Sequence, residues 1–241
     1  MTTATSEAST GDVHVWHADA AVLDDPARRE CAMRWLTDDE RGRHARFRFD
    51  ADRDLFLLGR LMARRLVGDA LAIEPTAWDW REGPHGRPEI DRPPTPLRFN
   101  LSHSGGLVAC ALATGHDVGV DVEDLRRTVN PDLVERCCSP AEVADVNAQG
   151  ADGWRDRFLT YWTLKEAYLK ARGLGISVHL PDISFSIDRD AIRIGFLDSL
   201  AGTDAGWHFR LERVTPHHLL AVAAGAGSRF HPSRPFADQA R

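Results

Sequence analysis

Short stretches of alternating apolar and polar residues occur in this chain between segments with a helical period. The segments Asp12 to His17 and Asp117 to Glu123 alternate as strands do. A long helix is predicted from Asp50 to near Gly68, with apolar residues spaced for one buried face. A second helix, Trp154 to Arg172, has apolar residues nearly all round its later turns, which is typical of a buried helix.

Polar residues mark the starts of several shorter helices. Asp24-Asp25-Pro26 predicts a helix with proline at its first position. Thr37 to Glu40 is a capping-box pattern that opens a further helix, and Ser139 to Glu142 repeats it.

The middle of the chain is rich in turn residues and short apolar runs. The glycine- and proline-rich segment Gly83 to Pro96 predicts a loop or a set of turns. Two more strands, separated by a Ser-His-Ser-Gly-Gly turn, are predicted at Leu97 to Leu101 and Leu107 to Ala113.

The order strand, helices, strands occurs twice in the sequence. Asp12-Val-His-Val matches Asp117-Val-Gly-Val, and the two capping boxes, the two long helices and two apolar strands follow in the same order. We therefore predict an α+β fold of two similar halves with pseudo-twofold symmetry and the active cleft between them. The predicted halves are residues 12–115 and 116–224, with disordered tails at 1–11 and 225–241.

Composition narrows the class of protein. The chain is 43% hydrophobic and 27% charged, which is typical of a globular protein, and its net charge of -6 argues against a general nucleic-acid binder. No apolar run reaches membrane-spanning length and the N-terminus lacks a secretory pattern, so we expect a soluble, cytoplasmic protein without a membrane partner. The four cysteines have no Cys-x-x-Cys spacing and are expected to be reduced.

Lysine is rare in this chain and is confined to one place. Of the 30 basic residues only Lys165 and Lys170 are lysines, and both lie in the helix Trp154 to Arg172. Lysine is a compact point charge, whereas arginine is a planar fork, so the bias indicates a site that needs an ammonium group. Thr163, Glu166 and Lys170 share one stripe of that helix. The alternative is an ordinary Glu-Lys pair on a solvated face.

Two carboxylates lie close together on the predicted strand that ends at Glu123. Asp121 and Glu123 are two residues apart, so both leave the same face, and such oxygen ligands suit Mg²⁺ with Glu166 as a third. The alternative is an edge strand that ends in water. His103 lies in a turn where amides and hydroxyls can converge on an anion; taken alone, it is better explained as a turn histidine with a local hydrogen bond.

An arginine-rich stretch gives the first half a local positive charge. Eight arginines lie between Arg41 and Arg65 against three aspartates, and they could hold phosphates or an acidic protein, or form a solvated helix face. The chain has no P-loop, no Gly-x-Gly-x-x-Gly, no His-Glu-x-x-His and no Gly-x-Ser-x-Gly motif. Nucleoside triphosphatase, dinucleotide-binding, zincin and α/β-hydrolase functions therefore lose support.

Three motifs taken together resemble the 4'-phosphopantetheinyl transferases of the surfactin (Sfp) type. They are Asn100-Leu-Ser-His-Ser, Gly119-Val-Asp-Val-Glu and Trp162-Thr-Leu-Lys-Glu-Ala-Tyr-Leu-Lys. The length, the motif order, the Gly86-Arg87-Pro88 turn and the duplicated halves extend the resemblance over residues 12 to 224. It implies transfer of the phosphopantetheine arm of coenzyme A to a serine of an apo acyl or peptidyl carrier protein, with release of adenosine 3',5'-bisphosphate.

The resemblance also implies roles for individual residues. Asp121, Glu123 and Glu166 would hold Mg²⁺, and Glu166 is the candidate base, directly or through a water, with Glu142 nearby. The residues implied in binding coenzyme A are Arg43, Arg46, Gly86, Arg87, Pro88, Ser102, His103, Lys165 and Lys170. Glu40 stands where a basic residue is common in the family, which places part of the 3'-phosphate site in doubt.

Several questions stay open at the level of sequence. We expect a monomer, with a carrier-facing surface around Val129 to Val146, although the apolar residues there could be ordinary helix core. The carrier could belong to nonribosomal peptide, polyketide or fatty acid synthesis, and a role in secondary metabolite biosynthesis is expected. A non-catalytic coenzyme A-binding module and a metal-dependent phosphodiesterase are the rival functions.

Overall fold

A computed structural model describes residues 11–83, 85–175, 178–188, 191–197 and 206–236. Its helices are α1 (Pro26–Trp35), α2 (Asp38–Arg46), α3 (Asp50–Leu71), α4 (Asp132–Cys137), α5 (Pro140–Ala148) and α6 (Gly150–Arg172). Its strands are β1 (Asp12–Asp19), β2 (Asp79–Glu82), β3 (Pro88–Arg92), β4 (Leu97–Ser104), β5 (Leu107–Thr114), β6 (Val118–Asp124), β7 (Ile183–Ile187), β8 (Ile192–Phe196), β9 (His208–Thr215), β10 (His218–Ala224), β11 (Arg229–Phe230) and β12 (Arg234–Pro235).

The first half is a mixed sheet with a long helix packed on one face: β1, β5 and β4 pair antiparallel, and β11 and β12 pair in parallel with β1. The sheet has the order β11-β1-β5-β4, and β12 also pairs with β1. Helix α3 packs its fully buried residues Leu57, Leu58 and Leu61 against side chains of β4 and β5 such as Phe99 and Leu112. The periodic apolar face that predicted this helix is thus the face that forms the core of the half.

The second half repeats this plan with different residues. Its main sheet has the order β6-β10-β9, and α6 packs on β6 and β10. Gly119 on β6 lies so close to α6 that a Cβ atom there would collide with the carbonyl oxygen of Ala167 and the amide nitrogen of Ala171. The missing side chain therefore lets α6 lie directly on the strand that carries Asp121.

A third hydrophobic core lies between the two sheets. It is formed by alternate residues of β1, β5, β6 and β10, among them Val15, Ala111, Val120 and Val222, all of which are buried. Strand β5 lies between β1 and β4 in the first half, and β10 lies between β6 and β9 in the second. The two strands that match in the internal repeat thus hold the same central place. The predicted α+β fold with two similar halves is confirmed.

Strands β4 and β6 face each other across the boundary but belong to different sheets. Three polar side chains of β4, spaced two residues apart, accept hydrogen bonds from backbone N–H groups of β6. These bonds run from Val120 N to Asn100 Oδ1 (3.0 Å), from Val122 N to Ser102 Oγ (3.3 Å) and from Asp124 N to Ser104 Oγ (3.1 Å). The side chains thus satisfy an edge strand that would otherwise leave buried donors unpaired.

Two predictions about irregular segments were wrong. Residues 229–236, expected in a disordered tail, return to the first half, where β11 and β12 pair in parallel with β1 and Phe236 is buried in the core. The segment Gly83 to Pro96 includes β3, which pairs with β2 as a hairpin. Residues 1–10 and 237–241 of the predicted tails lie outside the described part of the chain.

Candidate active site

A cleft of about 470 Å³ opens between α3 and the β2–β3 hairpin on one side and α6 on the other. The first half contributes the end of β4 with Ser102 and His103, and also the hairpin. The second half contributes the stripe of α6 that carries Glu166 and Lys170. Most of the predicted site residues line this cleft, namely Arg43, Gly86, Arg87, Pro88, Ser102, His103, Glu166 and Lys170.

Asp121 is buried beside this cleft, where it contacts Ser102 of the first half and Lys170 of the second, which both line the cleft. Its Oδ1 accepts hydrogen bonds from Ser102 Oγ at 2.9 Å and from Lys170 Nζ at 2.6 Å. Its Oδ2 is buried and has no hydrogen-bond partner among the described residues. Burial raises the pKa of this carboxyl group, and the Lys170 ammonium opposes that rise. One oxygen of Asp121 is therefore fixed, while the other has unused capacity to accept.

Glu123 is buried on the same face of β6 and has its own pair of partners. Its Oε1 accepts a hydrogen bond from Arg127 at 2.6 Å, and its Oε2 accepts one from Ser104 Oγ at 3.1 Å. Ser104 and Ser102 thus act alike, since each accepts from the backbone of β6 and donates to a carboxylate on that strand. The residues of β4 set the orientation of both carboxylates of β6.

Glu166 lines the cleft from α6, and within the described part of the chain its buried Oε1 has no hydrogen-bond partner. Burial raises the pKa of this carboxyl group, and the nearby charges of Asp121 and Glu123 raise it further, whereas Lys170 lowers it. Three carboxylates therefore influence one another across a small region. Such a set is costly unless a cation or a proton compensates it.

Two of the three carboxylates have an oxygen that suits a divalent cation. The buried, unpartnered Asp121 Oδ2 and Glu166 Oε1 are oxygen donors of the type that Mg²⁺ prefers. The three groups are not drawn into a tight cluster. Among the described residues, the set whose ligand atoms all lie within 4.8 Å of one another is Asp12, His14 and His231. The chemistry of these two donors fits Mg²⁺. Lys170 and Ser102 contact the other oxygen of Asp121, whereas Glu123 has a partner on each oxygen, Arg127 on Oε1 and Ser104 on Oε2.

Lys165 does not line the cleft, so the expected phosphate contact is wrong for this residue. Its side chain is 1% exposed and its Nζ lies 2.6 Å from Glu142 Oε2. The same ammonium donates to the carbonyl oxygens of Cys137 at 2.7 Å and Leu180 at 3.0 Å. An ammonium has three protons, and these acceptors use all of them. Lys165 is part of the core of the second half.

Glu142 is equally well satisfied and lies away from the reacting groups. It completes the capping box of α5 by accepting from Ser139 N at 2.7 Å, and its other oxygen accepts from Phe185 N at 2.7 Å. The buried pair of Glu142 and Lys165 therefore ties α5, α6 and β7 together. Glu142 has no free oxygen with which to act as a base.

Arg87 and His103 both lie in the cleft wall, but Arg87 is fixed by hydrogen bonds whereas His103 is exposed. The guanidinium of Arg87 donates to Asp117 Oδ1 at 3.1 Å and to the carbonyl oxygen of Ala171 at 2.7 Å, so it joins the hairpin to the end of α6. His103 is exposed at the cleft surface, yet partial desolvation of its ring, followed by the charge of Lys170, lowers the pKa of its imidazole. The neutral form of the imidazole is therefore favoured, and a neutral imidazole can both donate and accept.

The arginines of the first half are divided between two neighbouring cavities. Arg43 lines the cleft and also a second cavity of about 360 Å³, whereas Arg46 lines only the second. Glu40 completes the capping box of α2 with Thr37, and its Oε1 lies 2.9 Å from Arg60 Nε. Glu40, the position at which the sequence departs from the basic residue common in the family, thus forms an ion pair with Arg60.

Two family models and several relatives match this chain. The model for the N-terminal part of 4'-phosphopantetheinyl transferase matches residues 25–115, and the 4'-phosphopantetheinyl transferase superfamily model matches residues 117–223. The 4'-phosphopantetheinyl transferase HetI of a Nostoc species is 35% identical over 225 residues, covering 92% of this chain and 90% of the relative. The chain belongs to the 4'-phosphopantetheinyl transferase superfamily.

Other relatives agree with this assignment. A phosphopantetheinyl transferase of a Thraustochytrium species is 35% identical over 202 residues, covering 78% of this chain and 69% of the relative. The transferase Sfp of Bacillus subtilis is 26% identical over 204 residues, covering 84% of this chain and 86% of the relative. The resemblance inferred from the three motifs is confirmed. None of the helices in the described part of this transferase is long and apolar enough to cross a membrane.

Sequence reasoning missed several residues that shape the site of this transferase. Ser104 and Arg127 hold Glu123, and Asn100 fixes the register of β6 against β4. A signal for two of them was present, because Asn100, Ser102 and Ser104 place hydrogen-bonding groups on one face of a strand. Of two further residues that line the cleft, Arg60 belongs to the arginine-rich stretch Arg41 to Arg65, whereas Glu82 gave no signal.

Proposed function

We propose that this transferase moves the 4'-phosphopantetheine arm of coenzyme A to a serine hydroxyl of an apo carrier protein and depends on Mg²⁺. The observation that carries the proposal is that Glu166 and Lys170 line a cleft formed by both halves of a chain of this superfamily, with the buried Asp121 in contact with Lys170. The second product is adenosine 3',5'-bisphosphate.

The transfer forms one bond between oxygen and phosphorus and breaks another. The serine oxygen bonds to the phosphorus that carries the pantetheine arm, the bond from that phosphorus to the bridging oxygen of the diphosphate breaks, and adenosine 3',5'-bisphosphate leaves. The Lys170 ammonium lines the cleft, where it can contact phosphate oxygens. Glu166 accepts the serine proton, directly or through a water, since its Oε1 has no competing donor among the described residues and its pKa is raised by burial.

Mg²⁺, when bound, would supply positive charge to the diphosphate as the bond breaks. Asp121, Glu123 and Glu166 would hold it. Ser102, Ser104 and Arg127 orient the two carboxylates of β6, and such partners of a ligand strongly affect metal affinity.

We also propose that the carrier protein docks on the second half, near α4 and α5. A groove there is lined by Val134, Val143 and Trp154 together with charged residues such as Glu135 and Arg136. Both walls of the cleft come from one chain, which supports action as a monomer. The cytoplasmic location and the role in secondary metabolite biosynthesis stay predictions.

The test is to incubate the protein with coenzyme A, Mg²⁺ and a panel of apo carrier proteins and to follow the mass of each carrier. A gain equal to the phosphopantetheine arm is expected for at least one carrier, and it should disappear when Mg²⁺ is chelated. No mass gain across carriers from nonribosomal peptide, polyketide and fatty acid synthesis would contradict the proposal. Comparing kcat/KM among the carriers then identifies the partner.

A further inference from the structure

The arginines in the first-half wall of the cleft are paired with carboxylates of the same half. Arg43 Nη1 lies 3.2 Å from Glu82 Oε1, and Arg60 Nε lies 2.9 Å from Glu40 Oε1. Both arginines line the cleft and the second cavity. Any phosphate that binds this wall must share or displace Glu40 and Glu82.

Arg60 is positioned for such a contact by aromatic rings. Its guanidinium carbon lies 4.5 Å from the centre of the Phe56 ring and 4.8 Å from the centre of the Trp80 ring, so it contacts residues of α3 and β2. Its side chain is 15% exposed and that of Glu40 is 13% exposed. Because both charges are largely removed from water, their attraction is stronger than that of a surface pair.

The charges around the second cavity balance within the described part of the chain. The cavity is lined by four arginines and four carboxylates, namely Arg43, Arg46, Arg60 and Arg64 with Asp39, Glu40, Asp79 and Glu82. This wall is therefore formally neutral despite its many arginines. The removal of one carboxylate would leave a net positive charge beside the cleft.

We infer that Glu40 and Glu82 are specificity-determining residues that compete with the 3'-phosphate of coenzyme A for Arg60 and Arg43. The inference rests on the proposed function, in which Lys170 and the carboxylates of the second half face the diphosphate. The 3'-phosphate is the separate anion of coenzyme A, and the arginines of the opposite wall are the cations left to contact it. The competition lowers the preference for coenzyme A over its 3'-dephospho form.

Two charge-removing variants test this competition. Glu40→Gln keeps the capping box, because glutamine also accepts at this position of a helix. Glu82 lies on the exposed hairpin and takes no part in the capping box of α2. Glu82→Gln therefore tests the competition even if Glu40→Gln is unstable. Glu30→Gln, which removes an exposed carboxylate paired with Arg34, is the matched control.

The measurement is calorimetric binding of adenosine 3',5'-bisphosphate and of adenosine 5'-monophosphate, which lacks the 3'-phosphate. Each cleft variant is expected to bind the bisphosphate about two- to tenfold more tightly, with no change for the monophosphate. The control should leave both affinities unchanged. The ratio of KM values for coenzyme A and 3'-dephospho-coenzyme A should shift in the same direction.

Equal shifts for both nucleotides, or no shift in either cleft variant, would overturn the inference. The wild-type protein separates that failure from a failure of the proposed function. If wild type loads a carrier but the variants show no selective gain, only the competition is wrong. If wild type binds neither nucleotide and loads no carrier, the proposed function is wrong and the inference falls with it.

Discussion

The hydroxyl of Ser102 lies 2.9 Å from Oδ1 of Asp121 and joins the two halves of the molecule at the active cleft. The same oxygen accepts a hydrogen bond from Val122 N, so one serine both aligns β6 and orients a carboxylate on it. Ser104 repeats the arrangement with Glu123. The boundary between the duplicated halves is thus also the support of the proposed metal site.

Ser102→Ala should reduce kcat/KM for coenzyme A by about 10- to 100-fold and raise the Mg²⁺ concentration needed for half-maximal rate. The reason is that Asp121 loses a donor that fixes its orientation. Steady-state kinetics at varied Mg²⁺ would measure the change. Ser186→Ala, at an exposed position of β7, is the control and should behave as wild type. An unchanged Mg²⁺ requirement in Ser102→Ala would count against the positioning role.

Glu166→Gln should lower kcat by about 100- to 10,000-fold, the range expected for loss of a general base. Folding should be little affected, because burial already disfavours the charged form of this side chain. Single-turnover mass spectrometry of carrier loading is the measurement. Glu74→Gln, at an exposed position, is the control and should keep full activity. A reduction of less than about tenfold would exclude Glu166 as the base.

Lys165 and Lys170 should respond differently to replacement by methionine. Lys165→Met leaves Glu142 charged and buried without its partner, which should cost about 3–5 kcal/mol of unfolding free energy. Lys170→Met should raise KM for coenzyme A, because this ammonium lines the cleft, and should cost less stability than Lys165→Met, because Lys170 is 29% exposed whereas Lys165 is 1% exposed. Urea unfolding and kinetics on both variants separate the roles. A stable Lys165→Met protein with a raised KM would restore the phosphate contact that the sequence predicted.

The contrast between these lysines shows what the sequence could and could not determine. Lysine bias identified the right helix, because an ammonium has chemistry that arginine does not share. It could not separate the two, since whether a side chain faces a cleft or a core depends on what packs against each side of the helix. Lys165 meets Glu142 and the carbonyl oxygens of Cys137 and Leu180, which are distant in sequence.

Hydrophobic periodicity predicted the helices and strands that have a strong apolar pattern. It failed for short strands that form because their main chain pairs with another strand. Helix α3 and strand β5 were found because each buries one or both faces. The hairpin β2–β3 and the return of residues 229–236 to β1 were missed, because main-chain pairing with a distant strand leaves little pattern in a short, polar segment.

Gly119→Ala should destabilise the protein by about 1–3 kcal/mol and reduce activity, because the added methyl group would collide with the backbone of α6 at Ala167 and Ala171. Displacement of α6 from β6 would also move Glu166 and Lys170 relative to Asp121.

The matched control for this close packing is Gly42→Ala in α2. Among the described residues, no atom apart from the backbone of α2 itself lies within 4 Å of the new atom, so the helix should gain about 0.5–1 kcal/mol. Thermal or urea unfolding measures both variants, and equal stabilities for the two would refute the close packing at Gly119.

Asp124 should make the stability of the protein depend on pH in the acid range. Hydrogen bonds from the Arg126 side chain lower the pKa of this carboxyl group from its usual 3.8 to about 2. A carboxyl group with a depressed folded-state pKa stabilises the fold fully above the unfolded value, and this contribution is lost as the pH falls from 3.8 towards 2.

The measurement for Asp124 is the urea midpoint of wild type and Asp124→Asn between about pH 2 and pH 7, with the pKa of about 2 setting the lower bound. The variant should be less stable than wild type near neutral pH, and the difference should shrink below the usual pKa of 3.8. The expected gap is modest, because the Arg126 side chain is 57% exposed and water screens the pair. A gap that widens as the pH falls would have the wrong sign for this ion pair and would refute its contribution to stability.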